Sequence, residues 1–220
     1  MEKADRPCDN MKEYQSIIGS LMYIAGCTRP DIQFAANQLG KYMSNPMDKH
    51  MQITKRVVRY LKQTLDAKLI YRNDAESGIV ICADSNFDGD KRSLSTSGVT
   101  VFHGRNLIYW SSVKQELVVK STCEAEINAI TEGATEAKYF QESRAELVER
   151  ESELPIIIFN DRRPALDTLA SGGKHARTKH YKQRITMSRN CRRLESLRSN
   201  MKELRRSSQT RSPKPCLNNN

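Results

Sequence analysis

The chain has 220 residues, enough for one or two modest domains with a real core. Its 36 Lys and Arg against 26 Asp and Glu give a net charge of +10 and a pI near 9.4, a balance that suits a nucleic-acid partner without proving one. With 38% hydrophobic residues and a mean hydropathy of −0.67, the chain shows no long apolar span and no signal-type N-terminus, so the expectation is an intracellular protein, cytoplasmic or nuclear, with no membrane partner.

The six cysteines, Cys8, Cys27, Cys82, Cys123, Cys191 and Cys216, are scattered with no C-x-x-C pair, which argues for reduced thiols and against a zinc site or a disulfide frame. Residues 1–11 are a polar lead. From Lys12, Ile17, Ile18, Leu21, Met22, Ile24 and Ala25 recur at helical spacing up to the Cys27-Thr28-Arg29-Pro30 break. Pro30 suits the first turn of a second helix, with Ile32, Ala35, Ala36 and Leu39 inward, ending before Asn45-Pro46. A third helix, residues 48–64, sets Ile53, Val57, Val58 and Leu61 on one face. Lys55, Arg56, Arg59 and Lys62 fall mostly on the other. That basic face is either a solvated surface or a stripe that tracks a nucleic-acid backbone.

Residues 73–77 are a polar connector. Three antiparallel strands are expected at 79–84, 97–103 and 107–112, with His103-Gly104-Arg105-Asn106 as the second turn. Trp110, the only tryptophan, is expected half-buried in this sheet. Lys91 and Arg92, in the preceding loop, are within reach of a backbone phosphate. A helix then runs from Ser121 to about residue 148, a strand covers 155–161, and a short helix reaches Ala170, closed by Ser171-Gly172-Gly173. His175 and His180 lie in a loop and read as solvent-exposed. No Ser-His-Asp order with an elbow motif and no Gly-rich phosphate loop is present, which sets aside acyl transfer and nucleotide hydrolysis.

Three carboxylates stand out. Asp84 ends the apolar run I-V-I-C-A-D, and Asp161 ends P-I-I-I-F-N-D. Glu126 falls in the first two turns of a helix opened by a capping box, Ser121 with Glu124. Two strand ends and a helix start can meet at one sheet edge, where clustered carboxylates repel unless a hard divalent cation joins them. An aspartate after a strand is also ordinary turn punctuation, and an early helical glutamate is favoured by the dipole alone. Spacing leaves both readings open.

A family resemblance bears on that choice. Residues 14 to about 180 carry Y-Q-S-I-I-G-S-L-M-Y-I-A-G-C-T-R-P-D-I (14–32), K-R-V-V-R-Y-L-K-Q-T (55–64) and A-D-S-N-F-D-G-D (83–90). They continue with S-T-S-G-V-T-V-F (95–102), I-Y-W-S-S-V-K-Q (108–115), S-T-C-E-A-E-I-N-A-I (121–130) and F-N-D (159–161). In this order and spacing the stretch resembles the end of the polymerase polyprotein of Ty1/copia-type retrotransposons, from behind the reverse-transcriptase palm through ribonuclease H.

The resemblance implies an α/β fold: a ribonuclease H-like mixed sheet with flanking helices, preceded by a short helical segment. It divides the chain into a helical connection (1–72), a ribonuclease H-like domain lacking the family's ending (73–180) and a divergent basic, partly disordered tail (181–220). It implies a catalytic, metal-binding set in which Asp84 matches the first aspartate, Glu126 rather than Glu124 the glutamate, and Asp161 the second aspartate, around two Mg2+ (or Mn2+) ions. The partner implied is an RNA–DNA hybrid, whose RNA strand is cut. Where the family has H-I-D, this chain has His180-Tyr181-Lys182, so a lysine replaces the fourth aspartate and impaired cleavage is expected. Asp167, on a helix nearby in sequence, is a candidate substitute. A non-catalytic nucleic-acid-binding or interaction protein on the same scaffold, or a relic without a selected role, is the alternative.

After His180 the resemblance stops. Ile185, Leu194, Leu197, Met201 and Leu204 predict a basic amphipathic helix over 185–206, followed by a disordered Ser/Pro/Asn tail. The change of register there suggests a shifted reading frame or a recombined end.

Overall fold

The computed structural model describes residues 6–73, 78–86, 94–116, 118–119, 121–148, 154–171 and 193–196. Helix α1 (Met11–Cys27) starts where the Asn10 side chain accepts the Glu13 backbone N–H at 3.2 Å. A 3-10 turn at Pro30–Ile32 leads into α2 (Gln33–Gly40), and α3 (Asp48–Gln63) follows. Tyr14, Ile18, Leu21, Ala25, Ile32, Ala36, Leu39 and Met51 form the buried cluster that holds these helices together.

The inward face of α3 differs from expectation. His50, Met51 and Thr54 are buried, Val57 and Leu61 pack beside them, and Ile53 and Val58 are exposed. Polar groups enter because their bonds are made locally: His50 Nδ1 accepts the Met47 N–H, and the Thr54 hydroxyl donates to His50 O. Met22, expected inward on α1, is exposed.

A five-stranded sheet makes up the second layer system. β1 (Ile79–Asn86), β2 (Thr96–His103) and β3 (Asn106–Lys114) pair antiparallel, and β4 (Ile156–Asn160) and β5 (Arg193–Ser196) extend the sheet in parallel, giving the order β3-β2-β1-β4-β5. Gly104, at φ 58°, makes the β2–β3 turn, a conformation glycine adopts without a Cβ penalty. Helix α4 (Thr122–Val148) lies on β1 and β2, and α5 (Arg163–Ser171) packs against α4 and β4. Ile79, Ile81, Val99, Val101, Ile127, Ile130 and Ile158 are fully buried between them. This is the expected mixed sheet with flanking helices.

β5 corrects the expectation of a helix over 185–206: Arg193–Ser196 is a strand, paired to Ile157–Asn160. Without it β4 would present a row of unpaired N–H and C=O groups, and satisfying that edge outweighs a weak helical propensity. The remainder of the predicted helix, and the tail, lie outside the described residues. Side-chain bonds join the helical segment to the sheet: Trp110 Nε1 donates to Ala25 O at 2.8 Å, the Asn37 amide donates to Ser112 O, and the Asn106 amide accepts the Arg72 N–H at 2.7 Å and donates to Arg72 O at 2.8 Å.

Candidate metal centre

The parallel pairing of Cys82 with Phe159 sends β1 and β4 in the same direction side by side, so Asp84 and Asp161 leave the sheet at neighbouring strand ends. Helix α4 begins over the same ends. Its close seat on the sheet is set by Gly133, where a Cβ would meet Ile81 at 2.5 Å and Val99 at 3.0 Å. The Ser121 hydroxyl caps its start, accepting the Glu124 N–H at 3.2 Å, and the second turn then delivers Glu126.

Asp84, Glu126 and Asp161 converge, each offering a carboxylate oxygen within 4.8 Å of the others. The two aspartates are exposed, whereas Glu126 is only 1% exposed. Like charges 4.8 Å apart cost about 3 kcal/mol per ionised pair at an effective dielectric of ~20. The cluster therefore calls for a proton or a cation. Burial pushes the Glu126 carboxyl above its usual range and the charges of Asp84 and Asp161 push the same way, against the Asn160 amide. The donor set fits a hard divalent ion in its chemistry, because all the ligand atoms are carboxylate oxygens. Among the described residues no other group of three His, Cys, Asp or Glu side chains gathers in this way.

Two further residues belong to the site, and sequence reasoning did not single them out. Asn160 is fully buried; its Nδ2 donates to Glu126 Oε2 and to Ala83 O, both at 2.8 Å, and its Oδ1 accepts the Arg162 N–H at 2.8 Å. The one signal available was an amide placed inside an otherwise apolar strand. Arg162, half exposed, brings its Nε to 4.0 Å from Glu126 Oε1 and offsets part of the cluster's charge.

The other candidates fall elsewhere. Asp167 is exposed on α5 and is not among the three converging carboxylates. Lys55, Arg56, Arg59 and Lys62 are all exposed along α3, which packs on α1 and α2. Lys91, Arg92, His175, His180 and Lys182 lie outside the described residues. No described helix is long and apolar enough to cross a membrane.

The mixed α/β sheet with flanking helices is the ribonuclease H-like fold expected, and three acidic side chains gather at its adjacent parallel strand ends. Comparison with known proteins supplies the lineage. No family model matches the chain. The Retrovirus-related Pol polyprotein from transposon RE1 of Arabidopsis thaliana is 36% identical over 169 residues, 76% of this chain and 11% of the relative. That from transposon TNT 1-94 of Nicotiana tabacum is 35% identical over 168 residues, 76% of this chain and 12% of the relative. Over these residues the chain is homologous to the Pol polyproteins of Ty1/copia-type retrotransposons. It spans 11–12% of the length of these curated relatives. Among solved structures, RNase H1 from the archaeon Halobacterium salinarum overlaps 55% of this chain and 83% of its own at 10% identity and a TM-score of 0.41.

Proposed function

We propose that this retrotransposon-derived chain is a ribonuclease H-type hydrolase that cuts the RNA strand of RNA–DNA hybrids at reduced rate, with Asp84, Glu126 and Asp161 as its catalytic and metal-binding residues. The observation that carries the reading is the convergence of those carboxylates within 4.8 Å at the ends of two parallel strands. Asp84 and Asp161 face solvent, where a phosphodiester can approach, and Glu126 forms the anchored floor. A backbone N–H from Ser85 to Asp84 Oδ1 at 2.9 Å fixes one of the exposed carboxylates. Bound Mg2+ or Mn2+ supplies Lewis acidity and a water of lowered pKa.

The chain's own residues select the substrate by its backbone. Lys55, Arg59 and Lys62 recur along one exposed face of α3, with Arg56 beside them, and this stripe meets phosphates without reading bases. Lys91 and Arg92 share that role. Hybrid shape and 2′-hydroxyls, rather than base identity, set the preference. The division that goes with this function is a helical connection over 1–72, a ribonuclease H-like domain over 73–180 and a basic tail over 181–220. Lys182 replaces the fourth carboxylate and lowers the rate by weakening the second cation.

The exposed basic face of α3 also favours a second reading, a non-catalytic nucleic-acid-binding protein. Hydrolysis of a hybrid labelled on each strand in turn, in Mg2+, Mn2+ and EDTA and beside Asp84→Asn, separates the two. The hydrolase reading expects cuts in the RNA strand alone, lost in EDTA and in the variant. A folded protein that holds the hybrid equally well in EDTA, cuts nothing and shows a steep salt slope is the binding module.

A further inference from the structure

Asn160 makes three hydrogen bonds, and each ends on a candidate metal ligand or on the residue next to one. Nδ2 bonds Glu126 itself and Ala83 O, one residue before Asp84, while Oδ1 takes the N–H of Arg162, one residue after Asp161. Both amide protons are used, and the side chain is wholly buried at the last position of β4. One amide thus spans the ends of β1 and β4, the second turn of α4 and the turn into α5. Satisfying buried backbone groups would need only the Ala83 and Arg162 bonds. The third bond holds one chosen oxygen of a nearly inaccessible carboxylate and leaves Oε1 as the atom turned toward Arg162 at 4.0 Å.

We propose that Asn160 is the positioning residue of this centre: it fixes the Glu126 carboxylate in the orientation from which Asp84, Glu126 and Asp161 hold a divalent cation together. The inference rests on the proposed metal-binding role of those three residues. Outer partners that orient a ligand typically matter about 10- to 100-fold in metal affinity, and the same loss is expected here.

The test is thermal denaturation of the full chain in EDTA and across a Mn2+ series, for wild type, Asn160→Leu, Asn160→Ser and Asp84→Asn. Baseline Tm in EDTA reports the structural share of Asn160, and the Mn2+-dependent rise in Tm reports binding to the native state in excess of binding to the unfolded chain. The expected result is a wild-type rise that vanishes in Asp84→Asn and needs about 10- to 100-fold more Mn2+ in Asn160→Leu. Asn160→Ser, which keeps a hydroxyl donor, is expected in between, and decides the matter if Asn160→Leu does not fold. Wild-type Mn2+ dependence in a folded Asn160 variant overturns the positioning role while leaving the metal centre intact. No rise in the wild type overturns the metal centre, and the positioning role with it.

Discussion

Trp110 and Ala25, 85 residues apart in sequence, are joined at 2.8 Å by a hydrogen bond from the indole N–H of β3 to the last full turn of α1. With the Asn37–Ser112 bond, it makes the helical segment and the sheet edge lean on one another. Trp110→Phe keeps a ring and removes the donor. It is expected to lower stability by about 1 kcal/mol in urea unfolding and to speed amide exchange in α1 more than in β1. Unchanged exchange in α1 would show that the bond ties nothing.

Gly133 sets the distance between α4 and the sheet. Helix propensity alone favours alanine there by about 1 kcal/mol. An added Cβ would stand 2.5 Å from Ile81 and 3.0 Å from Val99, both fully or almost fully buried. Overpacking of this kind costs about 1–3 kcal/mol. Gly133→Ala is therefore expected to destabilise by up to ~2 kcal/mol, the overpacking cost less the helix-propensity gain, read as a lower urea midpoint at unchanged m-value. A rise in the midpoint would contradict the close seat of α4.

Glu132 accepts a hydrogen bond from the Ser111 hydroxyl at 2.6 Å, and burial raises its carboxyl above the usual value of 4.5. Its folded pKa exceeds its unfolded pKa, so the folded state holds the proton more tightly. The resulting stability is present below about pH 4.5 and falls as pH rises through the raised pKa. Glu132→Gln removes that charge. It is expected to be more stable than wild type at pH 7 and to lose the decline above pH 4.5 that Glu132 contributes, checked by urea unfolding across pH.

Arg162 stands over the outer oxygen of Glu126, where it competes with any cation for that carboxylate. Exposed by about half, it is screened, and such pairs contribute about 0.2–1 kcal/mol. Arg162→Gln is expected to tighten Mn2+ binding up to about fivefold with little change in apo stability. Weaker binding would mean that the guanidinium supports the site instead.

Much of the architecture was legible because each element carries its own pattern. Apolar runs ending in Asp84 and Asp161 mark strands with their exits, and the Ser121 cap marks the start of α4, while the preference for Glu126 over Glu124 came from the family resemblance. What escaped the sequence depends on partners far along the chain. Asn160 meets Ala83 across 77 residues and Glu126 across 34, so the amide in an apolar run is visible in the sequence but the groups it holds are not. His50 and Thr54 enter the core of the helical segment because local bonds satisfy them, while Ile53 and Val58, apolar at plausible positions, point outward. Leu194 belongs to a helix-like apolar pattern spread over 185–206, yet pairing with β4 makes residues 193–196 a strand.

The most direct measurement is calorimetric titration of Mn2+, then Mg2+, into the full chain freed of metal, beside Asp84→Asn and Asp161→Asn. The account predicts saturable binding to the wild type and its loss in each variant, with folding retained by circular dichroism. Equal binding by the wild type and both variants, or no binding at all to the folded wild type, would contradict a metal centre built on Asp84, Glu126 and Asp161.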